Sequence, residues 1–182
     1  MSSRPAAKCR SSVHARAQVT RIGVARDYQV GAAFLRSIRQ SVRVADDPPV
    51  ANDYASIDRA ADELHRRGWR KRFSLNEVVS AWESFVVAVE GGYDMTIDDY
   101  TNDLSMRRWA EEARPLLTDR VAQWMDQALA PLDDRFRAAT LETDSKLPGA
   151  GRDHWWECRL PCVLVGELAE DVDRMGLRRG SA

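Results

Sequence analysis

Cysteine is scarce, with three in 182 residues, which excludes a disulfide-built scaffold at this length. No apolar run approaches the roughly 18 residues that a membrane-spanning helix needs. The ten glycines sit singly or at helix stops. They form no phosphate-binding loop, dinucleotide fingerprint or nucleophile elbow. Lysine occurs only at Lys8, Lys71 and Lys146, against 24 arginines, and isoleucine occurs four times. Both shortages follow from a GC-rich, bacterial genome. The arginine excess is therefore no argument for nucleic-acid binding. Residues 1–26 lack any acidic residue and any apolar run of secretory-signal length.

What remains is ordinary globular material. Apolar residues make up 44% and charged residues 30% of the chain, and the length suits one domain or one domain with a tail. The net charge of -1 hides an uneven distribution. Residues 1–50 carry nine basic and three acidic side chains, and residues 51–89 balance at six each. Residues 90–145 carry thirteen acidic and six basic, and residues 146–182 balance again at six each. Such asymmetry suggests either a polar partner or a basic arm folding back on an acidic middle.

Residues 1–49 read as a basic, disordered arm. An Arg- and Ser-rich, acid-poor start also has the composition of an organellar transit peptide. No Met occurs between Met1 and Met95. Bacterial genes can start at GTG, which makes Val30, Val42 and Val44 alternative starts. A short helix can form over residues 30–44 around Phe34, Leu35 and Ile38, before Asp46-Asp47-Pro48-Pro49 breaks regular structure.

From there the signals are helical. Asn52 or Asp53 can cap a helix carrying Tyr54, Ile57, Ala61 and Leu64 on one face, ending at Gly68. Ser74 and Glu77 form a capping box, with Phe73 and Val78 as the hydrophobic staple. The stripe that follows is Leu75, Val78, Val79, Trp82, Phe85, Val86 and Val89, one face of a helix that stops at Gly91-Gly92. Val87 falls on the polar side. Thr96 caps a third helix with Ile97, Tyr100 and Leu104, and Ser105 can open a fresh turn with Met106, Trp109 and Ala113. Pro115 and Pro131 suit first helical positions. A stripe of Leu117, Val121, Trp124, Ala128, Leu132 and Phe136 runs past Pro131, which starts a new helix or kinks one long one. Leu147–Arg152 reads as a loop. Pro161 opens a last helix with Leu164, Leu168, Val172 and Met175. No strand alternation stands out. The fold class is all-α: a single compact bundle-like domain of about five or six amphipathic helices over residues 50–178. Trp82, Trp109 and Trp124 lie in its core, and residues 179–182 fray.

Four constellations invite chemistry. His154, Cys158 and Cys162 repeat every four residues, but Pro161 interrupts the helix they would need and a fourth metal ligand is missing. The cysteines read instead as reduced, core-facing thiols of a cytoplasmic protein. Asp94, Asp98, Asp99 and Asp103 cluster at one helix start, with Glu111 and Glu112 beyond. Carboxylate pairs of this kind can bind magnesium in helical hydrolases, though they also stabilise helix N-termini. Glu167, Glu170 and Asp173 repeat the pattern later. Arg66, Arg67, Arg70, Lys71 and Arg72 surround Trp69, the residue types that contact phosphates and stack on bases. The bland reading is a helix end with Trp69 packed inward. His65 lacks a nucleophile or carboxylate at a telling spacing, and His14 lies in the arm.

No cofactor and no metal is assigned, and no membrane partner is expected. The leading expectation is a protein-interaction module whose acidic residues Asp94, Asp98, Asp99, Asp103, Glu111 and Glu112 meet a basic partner. A toxin-neutralising immunity protein is one concrete version, by analogy. A nucleic-acid binder using Arg66–Arg72 and a divalent-metal hydrolase using Asp94–Asp103 are the alternatives. Val87 and the Trp155-Trp156 pair leave room for a self-association face.

Overall fold

Three helix starts are set by side-chain oxygens, of Ser74, Thr96 and Thr118, that meet the first free N–H groups. A computed structural model describes residues 50–151 and 153–177, all within the unit that begins at Asp47. The expectations for the arm, the helix over 30–44 and the end at 179–182 lie outside these residues. Among the described residues five α-helices are present: α1 (Ala51–Arg66), α2 (Leu75–Gly91), α3 (Ile97–Ala113), α4 (Asp119–Ala139) and α5 (Gly166–Arg174). The fold is all-α, apart from two three-residue strands, β1 (Thr140–Glu142) and β2 (Arg159–Pro161).

The capping box at α2 forms in full. Ser74 N–H donates to Glu77 Oε2 at 2.9 Å, and Glu77 N–H donates to Ser74 Oγ at 3.2 Å. Thr96 caps α3 and Thr118 caps α4. At α1 the expected cap shifts. Val50 is the cap residue, and Asp53 reaches back to accept from Val50 N–H at 3.0 Å. The other Asp53 oxygen accepts from Thr118 Oγ1 at 2.7 Å, so this buried carboxylate joins the starts of α1 and α4. Ala61 and Leu64 are buried as expected, but Tyr54, expected on the same face, is 58% exposed, because Asp53, Ser56 and Ala60 share the inward side instead.

Helix α2 packs against both α3 and α4 and places its apolar stripe at the centre. Val78, Trp82 and Val86 are wholly buried. Trp82, Phe85 and Phe136 meet at ring centroid distances of 5.1–5.7 Å, and Tyr93 and Tyr100 extend the cluster from Phe85. Leu75 is only half-buried, and Val87 is exposed. Helix α3 is continuous through Ser105, and α4 is continuous through Pro131. The inward face of α4 is Val121, Ala122, Met125, Leu129, Leu132, Asp133 and Phe136. Trp124, expected in the core, is half-buried. Both stripes obey helical spacing, and packing against α2 selects the one a residue further on.

The last segment departs most from expectation. Pro161 does not open a helix but ends β2, which pairs antiparallel with β1 so that Leu141 faces Leu160. Helix α5 starts at Gly166, buries Leu168 and Val172, and leaves Met175 exposed. Between the strands, the 3₁₀ turn Trp155–Cys158 packs against α3. Trp156 there is buried, stacked on His154 at 4.5 Å on one side, with the Arg107 guanidinium 4.6 Å from its ring centre. Trp155 is half-buried against Phe136 and beneath Arg137. The tryptophan pair therefore packs within the chain. No helix among the described residues is long and apolar enough to cross a membrane.

Candidate functional site

Loop and helix geometry bring two acidic segments side by side. Asp94 Cα and its carbonyl lie against Gly166, and Glu167 N–H donates to Asp94 O at 3.1 Å. Ile97 N–H, at the free start of α3, donates to the buried Asp171 carboxylate at 2.9 Å. Helix α5 is thereby docked on the α2–α3 loop and the first turn of α3. Residues 93–104 and 163–177 carry eight carboxylates and one basic residue, Arg174, which pairs with Asp171.

Within this corner the carboxylates have different tasks. Asp94, Asp98, Glu167, Glu170 and Asp173 are exposed. Asp99 accepts from Thr96 Oγ1 at 2.6 Å and belongs to the α3 cap. Asp103 accepts from Tyr93 OH at 2.9 Å. Burial, with the Asp103 carboxylate beside it, pushes the Tyr93 phenol well above its ordinary value of 10.0. Burial also raises Asp103 above the usual aspartate value of 3.8, against the opposing Tyr93 hydrogen bond and with a further push from Asp99.

That shift has a signed consequence. A raised native value means that the proton on Asp103 stabilises the fold. The contribution is complete below the ordinary value and is lost as pH rises through the higher native one. Asp103→Asn keeps an oxygen to accept from Tyr93 and never ionises. The melting temperature of the variant relative to the wild type should therefore rise between about pH 3 and pH 7. Parallel melting curves across that range would refute it.

Glu111 and Glu112 do not join the corner. They lie about 12 Å beyond Asp103 and about 20 Å beyond Asp98 along α3 at the helical rise per residue. Glu111 pairs with Arg107, and Glu112 accepts from Trp69 Nε1 at 3.0 Å. The six acidic candidates are thus a corner of four plus two residues elsewhere, and α5 supplies the missing partners.

Arg66–Arg72 sits at the α1–α2 turn, partly neutralised. Arg66 and Arg67 both pair with Glu63, Lys71 with Glu77, and Arg72 with Asp62. Trp69 is half-buried and meets Phe73 edge-on at 6.4 Å. Arg70 is exposed. Exposed pairs of this kind are worth little and can open, but three carboxylates, Glu63, Glu77 and Asp62, offset part of the charge of the five cations. His65 Nδ1 lies 2.8 Å from Trp69 O at the same turn. A shallow groove between α1 and the turn after α3, lined by Arg59, Asp62, Glu63, Arg66 and Leu116, mixes both signs.

His154, Cys158 and Cys162 do not share a helical face, because a 3₁₀ turn (Trp155–Cys158) runs straight into β2. Among the described residues, no three His, Cys, Asp or Glu side chains are placed to hold a metal. Sequence reasoning missed four buried acids: Asp53, Asp133, Glu157 and Asp171. Asp133 accepts from Trp82 Nε1 at 3.0 Å and from Arg107 at 3.1–3.2 Å. Its place between Leu132 and Phe136 on the inward face of α4 was the available signal. Glu157 pairs with Arg108. Its second oxygen has no hydrogen-bond partner and faces Gly151 so closely that a Cβ there would lie 2.6 Å away, which leaves no room for a ligand between them.

No protein-family model matches the chain, and no curated protein or solved structure matches it either.

Proposed function

We propose that this protein is a cytoplasmic protein-interaction module whose acidic corner receives a basic partner. One observation carries the reading. Docking of α5 on the α2–α3 loop gathers five exposed carboxylates, Asp94, Asp98, Glu167, Glu170 and Asp173, from distant stretches of sequence beside a single arginine. Like charges gathered on one surface repel, so the arrangement costs stability unless something offsets it. A basic partner does so, and the field speeds its encounter. An immunity-like or regulatory protein needs no more than this. The Arg66–Arg72 cluster supports a nucleic-acid partner less well, because four of its five cations already face acids.

The test is a pull-down from native lysate with the tagged full chain at low salt, half of it nuclease-treated. A triple variant, Asp94→Lys with Asp98→Lys and Glu170→Lys, runs alongside. Asp99 and Asp103 are spared, because they hold the α3 cap and Tyr93. The expected result is a basic protein retained in both halves, released by salt and lost from the variant. Retention unaffected by the charge reversals would refute the reading. Loss of everything on nuclease treatment would do so too, and would point to Arg66–Arg72.

A further inference from the structure

We infer that the acidic corner recognises a basic, amphipathic polypeptide segment of another protein, anchored by a large apolar side chain on Met95, Val163 and Val165. The inference rests on the corner being a partner-binding surface, and it adds what the partner carries besides charge. Met95 is 51% exposed, Val163 55% and Val165 37%. Scattered single apolar residues on a surface need no explanation. These three come from two loops that touch. Val165 Cγ2 lies 3.2 Å from where a Cβ on Gly92 would stand, and Gly166 presses on the Asp94 backbone. The exposed carboxylates of Asp94, Asp98, Glu167 and Glu170 lie within a few residues of these three in sequence, on the same two loops and the helices they start.

Charge selects the occupant. A nucleic acid, an anionic membrane or a second copy seated through the same face would set negative charge against negative charge. A wholly apolar partner would strip water from carboxylates without replacing it. A basic segment without apolar residues would leave Met95 and the valines uncovered. A segment with Lys or Arg flanking Leu, Ile or Phe satisfies both parts. Met95 suits the role, because its unbranched thioether adapts to differently shaped anchors.

Synthetic peptides binding to the full chain test this, read by calorimetry at low and at moderate salt. One peptide has Lys and Leu at helical spacing, a second replaces each Leu with Ser, and a third replaces each Lys with Glu. The Lys/Leu peptide should bind about tenfold to a hundredfold tighter than the Lys/Ser peptide, the worth of one buried apolar side chain. That gap should persist as salt rises. Met95→Ser with Val163→Ser, both at exposed positions, should bring the Lys/Leu affinity down to that of Lys/Ser. Equal binding of the two basic peptides, abolished by Asp94→Lys with Glu170→Lys, would overturn the apolar anchor and leave the acidic module standing. The same conclusion follows if the serine variant changes nothing. Binding of the Glu/Leu peptide, or of none of the three, would overturn both.

Discussion

Asp133→Ala should destabilise the protein by about 3–5 kcal/mol, the range for removing one partner of a buried ion pair. In a domain of this size that is a loss of roughly 10–15 °C in melting temperature. Asp133 is 6% exposed and receives three groups at once: the Trp82 indole N–H and two nitrogens of Arg107. Arg107 cannot turn to water when the carboxylate goes. Its side chain is only 13% exposed, held between Asp133 and the face of Trp156. Glu111 remains as a second acceptor at 3.2 Å, which keeps the cost from being larger. The Trp82 N–H, wholly buried, is left with nothing. A double replacement separates the charge from the packing. Arg107→Met with Asp133→Leu removes both charges and fills the space, and should recover the part of the loss that comes from the unpaired Arg107, while the buried Trp82 N–H still lacks an acceptor and keeps about 1–3 kcal/mol of it. If the single change costs less than about 1 kcal/mol, or if the double change is as damaging as the two singles added, the pairing is not what holds α3 to α4.

Gly166→Ala should cost about 2–4 kcal/mol, and it should do so locally. Gly166 has φ +55°, where a side chain crowds the backbone. A Cβ would also stand 2.7 Å from Asp94 O and 2.9 Å from Asp94 Cβ, and backbone cannot swing aside as a flexible side chain would. The response available is for α5 to lift off the α2–α3 loop. That would break the Glu167–Asp94 and Ile97–Asp171 hydrogen bonds together. Hydrogen exchange should therefore quicken over residues 94–100 and 163–177 ahead of the rest. Gly176→Ala is the control. It shares the conformation, with φ +62°, but its Cβ would meet nothing within 4 Å. It should cost only the backbone strain of about 1 kcal/mol. Equal losses from the two variants would mean that the contact with Asp94 contributes nothing. Since the acidic corner exists only while α5 is docked, Gly166→Ala should also weaken basic-partner binding without touching a single charge.

Legibility in the sequence followed the range of the interaction. Helix α2 could be read almost residue by residue, because a capping box spans three residues and an apolar stripe repeats within one helix. The caps at Thr96 and the Gly91-Gly92 stop were equally local. On α4 the period was legible and the face was not. Val121, Leu132 and Phe136 belong to both candidate stripes, and only packing against α2 decides that Met125 and Leu129 turn inward while Trp124 stays at the edge. Three-residue strands show no alternation, so β1 and β2 had no signal, and Pro161 looked like a helix start. Half of the acidic corner, Asp94 to Asp103, stood out as a charge cluster. Glu167, Glu170 and Asp173 stood out separately, with nothing to join them.

The sequence by itself determined the class of fold, both ends of α2, the start of α3 and the identity of the central apolar face. Those follow from backbone hydrogen bonding and helical period, which act over a few residues. Only the tertiary structure decided which charges are buried and which acidic segments are neighbours. Position on a helix can hint that an aspartate faces inward, as at Asp133, but not which distant groups will meet it. Asp133 is buried because Trp82, 51 residues away, supplies a donor, and Asp171 because Ile97, 74 residues away, has a free N–H. A buried charge is tolerated only where such partners converge, and convergence over that distance is a property of the packed chain.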